Sequence, residues 1–205
     1  MRARRVAYGR AAVPTRERIL EAAEVVFAEK GYHDTAMDEI VRRTEISKGG
    51  VYFHFPSKEE LFFALMDDLA NRLVRRVETN MDKQPRALDK LDVALTTVLD
   101  SLSKRRRLAR LLLLQGYSMG NAFEKKRVQI FARFALLVKQ GLDQAAAEGE
   151  LQPMGAAEAE IVAFAWLGAI NEMVIRWLLT GEPRPIQAAI PVLRGFLFRG
   201  IGVNR

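Results

Sequence analysis

The sequence predicts an all-α fold of about nine helices, and three observations predict it. Apolar residues recur at helical spacing along nearly the whole chain, no convincing strand pattern occurs, and the breaks fall at Gly, Pro and capping residues. The 205 residues, 49% of them hydrophobic, suffice for one large core or two smaller ones. There are no internal repeats and no low-complexity tracts.

Residues 1–14 read as a basic, disordered arm. Residues 1–16 hold Arg2, Arg4, Arg5, Arg10 and Arg16 and no acid. Such an arm can still lie along phosphates or in a minor groove. The first helix spans 16–30, where Ile19, Ala22, Ala23, Val26 and Phe27 make one buried stripe. Thr15 can cap its start and Gly31 ends it as an αL residue. Thr35 then caps a short helix carrying Met37, Ile40 and Val41, and Glu45 and Ile46 form a turn. A third helix follows near 47–53, capped by Ser47. Pro56 breaks the chain, and Ser57 with Glu60 forms a capping box for a long helix reaching about Val77, with Leu61, Phe62, Leu65, Met66, Leu69 and Leu73 inward. These elements define a helix-turn-helix domain over 15–60 and a second helical domain over 61–205.

In the second domain, residues 82–85 are a linker and 86–102 a helix with Leu91, Leu95, Val98 and Leu102 on one side. Residues 104–116 are basic and then strongly apolar. Residues 121–148 form a long helix with Val128, Phe131, Phe134, Ala135, Val138 and Leu142 inward. Pro153 and Gly155 mark a break, 156–179 is apolar nearly all round, and Gly181, Pro183 and Pro185 turn the chain into a last helix over 186–199.

Composition narrows the function. A net charge of +7 leans toward an anionic partner. The absence of cysteine excludes disulfides, thiolate zinc sites and cysteine nucleophiles, and fits a cytoplasmic protein. The N-terminus lacks the apolar region of a signal peptide. The longest apolar run, 161–170, is well short of the ~18 residues that span a bilayer, so no membrane partner is expected. Enzyme chemistry lacks its parts: His33 and His54 are the two histidines, neither with a spaced metal partner, and no glycine-rich phosphate loop follows a strand. Asp67-Asp68 and Glu59-Glu60 are sequence neighbours on helix turns rather than a facing pair. No metal and no cofactor is implied.

Residues 47–58, Ser-Lys-Gly-Gly-Val-Tyr-Phe-His-Phe-Pro-Ser-Lys, are too polar and glycine-rich for a core helix. Placed after two short helices, they have the layout of a recognition helix in a helix-turn-helix. Lys48 sits in its first turn, where side chains face base edges, and Tyr52 follows one turn later on the same face. Thr35 and Ser47 can donate to phosphate, and Lys58 joins its charge to the open amides of the next helix. Gly49 and Gly50 remove side-chain readout and imply close backbone approach to DNA. Val51, Phe53 and Phe55 read as core.

Ile19-Leu20-Glu21-Ala22-Ala23 with Phe27, Gly31-Tyr32, Thr35, and above all Ser47 through Leu61 resemble the TetR family of transcriptional regulators. The resemblance is close over 15–63; beyond that, only helix number and length agree. It implies an all-helical homodimer whose N-terminal helices bind a palindromic double-stranded DNA operator and whose C-terminal domain binds a small effector that releases DNA. It also implies a phosphate contact for His54. The chain departs from the common pattern at Glu45, where glycine is frequent, and at Gly50, where a side chain often reaches a base.

For the effector, the expected lining is Leu95, Val98, Leu99, Leu111, Gln115, Phe131, Phe134, Ala135, Trp166, Ile170 and Asn171, each of which also reads as plain core. That lining implies a mostly apolar ligand with few polar anchors. Lys104-Arg105-Arg106-Arg107 with Arg110 reads as a solvated face, or as the seat of an anionic head group such as that of an acyl-CoA. The last two helices, with Trp166 and Trp177 in one and Phe196, Leu197 and Ile201 in the other, are the expected dimer interface. Two-fold symmetry would set the recognition helices roughly 34 Å apart. A repressor is the expected regulator, with an activator of the same fold, or an interaction protein that has lost DNA binding, as the alternatives.

Overall fold

A computed structural model of the chain describes residues 14–114 and 119–203. Most of the expected arm and Gln115 lie outside the described residues. Among those described there are nine α-helices, one 3-10 helix and no strand, so the all-α expectation is met. The chain divides into two compact units between Leu65 and Met66. The sequence reading placed this boundary at residue 60. Leu61, Phe62 and Leu65 are fully buried, and Phe62 packs edge-on against Phe27 and tilted against Tyr32, which assigns these residues to the N-terminal unit.

The N-terminal unit comprises α1 (Thr15–Lys30), α2 (Met37–Thr44), α3 (Lys48–His54) and the start of α4 (Lys58–Met81). Ile19, Ala23, Phe27, Ile40 and Val51 bury the stripes that their spacing predicts. The α1 N-cap is Pro14, with no side-chain cap, so Thr15 does not serve there. Gly31 closes α1 at φ 85°, ψ 176°, a positive φ but an extended ψ rather than αL. Glu45 ends α2 in the αL region at φ 55°, ψ 20°. A non-glycine residue there costs roughly 1–2 kcal/mol, which the rest of the turn must offset. Thr44 helps by accepting from the Ile46 amide at 3.1 Å. Arg18 also anchors this turn through the Thr44 carbonyl, at 3.0 Å.

The second unit holds the rest of α4 with α5 (Ala87–Lys104), α6 (Arg106–Leu113), α7 (Asn121–Ala147), α8 (Ala156–Thr180), a 3-10 turn (Ile186–Ala189) and α9 (Ile190–Gly200). The single last helix expected over 186–199 is thus split, because Pro191 fits only the first turn of an α-helix. The start of α5 is capped from a distance: Glu148 accepts from the Ala87 amide at 3.1 Å and Glu150 from the Leu88 amide at 2.8 Å. Those bonds satisfy open first-turn amides and place negative charge at the positive end of the helix. Leu91 reaches into the space left by Gly141 on α7, where a Cβ would stand 2.6 Å from Leu91 Cδ2. Trp166, Trp177, Leu178 and Phe198 join Leu88, Leu95 and Leu142 in one core.

Candidate nucleic-acid interface and ligand cavity

The recognition helix is built from its cap upward. Ser47 Oγ accepts from the Gly50 amide at 3.2 Å, the N-cap bond its position predicts. Val51 and Phe55, four apart, turn inward and are buried. The same 100° step per residue turns Lys48, Gly49, Tyr52 and Phe53 outward. Phe53 is 84% exposed, so its reading as core is corrected. The periodicity held the signal: with positions 51 and 55 inward, position 53 lies on the far side. The Phe53 ring meets His54 edge-on at 5.4 Å.

Lys48 Nζ is 2.9 Å from Asp38 Oδ1, at the start of α2. That bond, more than the accompanying charge attraction, holds the Lys48 ammonium above its ordinary pKa. Lys48 also stands 5.8 Å from the centre of the Tyr52 ring. Asp38 drew no attention in the sequence, since α2 and α3 meet only in three dimensions.

The two glycines differ. A Cβ on Gly49 would meet nothing within 4 Å, while one on Gly50 would stand 2.9 Å from Ile46 Cγ2 and 3.2 Å from Ser47 Oγ. Gly50 is therefore required by its own turn and cap; only Gly49 lies on open surface.

Two expected phosphate contacts are corrected. Thr35 is 2% exposed, and its hydroxyl donates to the Gly31 carbonyl at 2.7 Å, which leaves it closing the α1–α2 loop. Lys58 donates all three of its N–H groups inward, to the carbonyls of Tyr32 at 2.9 Å, His33 at 3.2 Å and Thr35 at 3.0 Å. Its ammonium also stands 4.6 Å from the centre of the Tyr32 ring. Both residues hold the scaffold on which α3 is mounted.

The second unit holds a partly open cavity of about 420 Å³. Of the expected lining, Val98, Phe131, Phe134, Ile170 and Asn171 face it. Leu95 and Trp166 line a separate hollow of about 40 Å³. Leu99, Leu111 and Ala135 line neither and are buried in packing. Sequence reasoning missed the contribution of α4: Leu69, Leu73, Arg72 and Arg76 line the cavity as well. Lys104, Arg105 and Arg127 complete its charged side, with Arg72 paired to Asp68 and Arg127 to Glu124, each at 2.9 Å.

The basic cluster ahead of α6 does not act as one patch. Lys104 and Arg105 reach the cavity, whereas Arg106 and Arg110 donate to the carbonyls of Trp177 and Leu178, at 3.2 and 2.9 Å. Arg110 thus satisfies an open carbonyl in the last turn of α8, and Arg106 adds a second donor to the Trp177 carbonyl, which already accepts from the Gly181 amide at 2.9 Å. Opposite, Asp67 on α4 accepts from Lys126 at 2.7 Å and Arg133 at 2.9 Å, joining α4 to α7 beside the cavity.

Both tryptophans expected at a dimer surface are buried within this unit, at 7% and 6% exposure, as is Leu197. Phe196 does face outward as expected, in a stripe together with Val192 on α9 and with Ile161, Phe164 and Leu179 on α8. Among the described residues α8 is the one helix long and apolar enough to cross a bilayer, a property that follows from having a core face and this stripe together.

The sequence profile of bacterial regulatory proteins of the tetR family matches residues 19–65. YfiR of Bacillus subtilis, an HTH-type transcriptional regulator, is 32% identical over 143 residues, 66% of this chain and 67% of YfiR. The fold is similar to that of FadR from Bacillus subtilis, solved in complex with stearoyl-CoA (TM-score 0.77, 22% identity, 90% of this chain and 98% of FadR). It is also similar to a TetR-like regulator from Rhodococcus sp. RHA1 (TM-score 0.67, 28% identity, 96% and 99% of the two chains).

Proposed function

The chain belongs to the TetR family of bacterial transcriptional regulators, and we propose that it is a repressor that binds a palindromic operator as a homodimer and leaves it when an amphiphilic effector fills the second unit. The α3 surface carries this reading. Lys48, Gly49 and Tyr52 are exposed on one face of a capped helix, while Val51 and Phe55 lock its back to the unit. Ser47 and His54 flank that face and complete the proposed contacts. Nothing in this role calls for catalysis: the chain is a regulator and not an enzyme.

Homodimer formation is supported by the outward stripe on α8 and α9. Leaving Ile161, Phe164, Leu179, Val192 and Phe196 in water is costly, and a second copy covers such a stripe in a four-helix bundle. Glu158, Glu160, Glu172 and Arg176 are interspersed on exposed positions of α8, which suits a protein interface and not lipid. The protein acts in the cytoplasm, with its DNA.

For the effector, an apolar cavity flanked by Arg72, Arg76, Lys104, Arg105 and Arg127 suits an acyl tail with an anionic head. The stearoyl-CoA held by FadR supports the same class. Such a ligand releases DNA only by the difference in its affinity for the free and DNA-bound forms.

The direct test is a footprint of the purified chain on the DNA flanking its own coding region, across a salt series. A protected pseudo-palindrome with steep salt dependence is the expected result, and long-chain acyl-CoA should erase it. Protection without a two-fold pattern would overturn the homodimer. A thermal-shift series with no stabilisation by any acyl-CoA would overturn the effector class.

A further inference from the structure

Residues 14–65 carry seven Lys or Arg against ten Asp or Glu, a net charge of −3 in a protein whose total is +7. Residues 1–13 add four Arg and no acid, so the whole N-terminal unit carries only +1, and its helices by themselves gain little from indiscriminate attraction to phosphate. Three of these cations also meet a carboxylate. Lys30 meets Glu39 at 2.5 Å, Arg18 comes within 4.0 Å of Glu45, and Lys48 meets Asp38 at 2.9 Å. Only the last of these pairs involves the exposed face of α3. Asp38 and Lys48 stand in the first turns of their helices, and both side chains are more than half exposed.

We propose that Asp38 is a specificity-determining residue of the DNA interface: it holds Lys48 as a neutral ion pair that disfavours phosphate and leaves the ammonium free for the acceptor edge of guanine. The inference rests on reading α3 as the recognition helix. An ammonium has three N–H donors. One goes to Asp38, and two remain for the O6 and N7 that guanine presents in the major groove. A phosphate approaching Lys48 must also approach the Asp38 carboxylate, so attraction and repulsion largely cancel. A base edge carries only partial charges, and the carboxylate repels it little. Asp38 thus penalises the contact that every sequence offers more than the contact that one base offers.

The test is a set of anisotropy titrations with the full chain, on its operator and on a mixed-sequence duplex, across a salt series. For D38N, the mixed-sequence salt slope should steepen by about one unit. The ratio of operator to mixed-sequence affinity should fall about tenfold, the size of one base-specific contact. D38E, which restores the carboxylate, should retain the wild-type ratio. In a K48Q background D38N should no longer change the ratio. A D38N ratio equal to that of the wild type overturns the proposal, and so does the same loss in the K48Q background, because Asp38 would then act without Lys48. A wild-type chain that prefers no site over mixed sequence overturns the recognition-helix reading itself, a result distinguishable from failure of the Asp38 inference alone.

Discussion

Replacing Lys58 with Met removes the ammonium that ties the start of α4 to the α1–α2 loop, while keeping most of the aliphatic stem. Three hydrogen bonds are lost, at 2.9, 3.2 and 3.0 Å, to the carbonyls of Tyr32, His33 and Thr35. Water can reach the His33 carbonyl, so a low value of about 0.5–1 kcal/mol per bond is appropriate. The cation over the Tyr32 ring at 4.6 Å adds about 0.5 kcal/mol at a part-exposed site. The expected loss is therefore about 2–3.5 kcal/mol. It should be confined to the N-terminal unit and be visible in urea unfolding followed by circular dichroism. Faster hydrogen exchange across residues 31–36 should accompany it. The salt slope of DNA binding should stay unchanged, because Lys58 has no donor left for a phosphate. A stability loss under about 0.5 kcal/mol together with a salt slope smaller by about one unit would refute the reasoning and return Lys58 to the phosphate backbone.

Phe53 and Phe55 should separate sharply in denaturation: Phe53→Ala should change stability by less than about 0.5 kcal/mol, whereas Phe55→Ala should cost about 3–5 kcal/mol. The two glycines should move melting temperature in opposite directions. Gly49→Ala meets nothing and should stabilise α3 by roughly 0.5–1 kcal/mol, while Gly50→Ala should lower stability as its Cβ displaces Ile46 and the Ser47 cap. Glu39 is held below the ordinary carboxylate pKa of 4.5, chiefly by its hydrogen bond to Lys30 and also by the Ala36 amide. Its depressed folded pKa means that its contribution is present above the unfolded value and is lost as pH falls through the folded one. Stability of the wild type should thus drop more steeply than that of Glu39→Gln below pH 4.5, and coincident acid limbs in parallel melts would contradict this.

Much of the molecule could be read directly from the residues. The stripes of Ile19, Ala23 and Phe27 and of Leu91 and Leu95 are one-dimensional patterns, because a helix returns to the same face every 3.6 residues wherever it lies. Ser47 as a cap is equally local, since donor and acceptor are three residues apart. The candidate DNA interface and its family resemblance were legible for the same reason, being concentrated in residues 47–61.

What the sequence by itself determined, then, is the set of helices, their caps and the stretch that presents Lys48 and Tyr52. Tertiary structure alone decided how donors and acceptors far apart in the chain are spent. Lys58 reaches carbonyls 23 to 26 residues away, Arg110 reaches Leu178, and Asp38 meets Lys48 across a turn. It also decided that Trp166 fills a core and Phe196 faces outward, though both are aromatic residues on apolar helices. Helical period tells which side chains share a face; which neighbour covers that face depends on contacts between segments, and a cavity such as the one lined by Leu73, Val98 and Phe134 exists only between them.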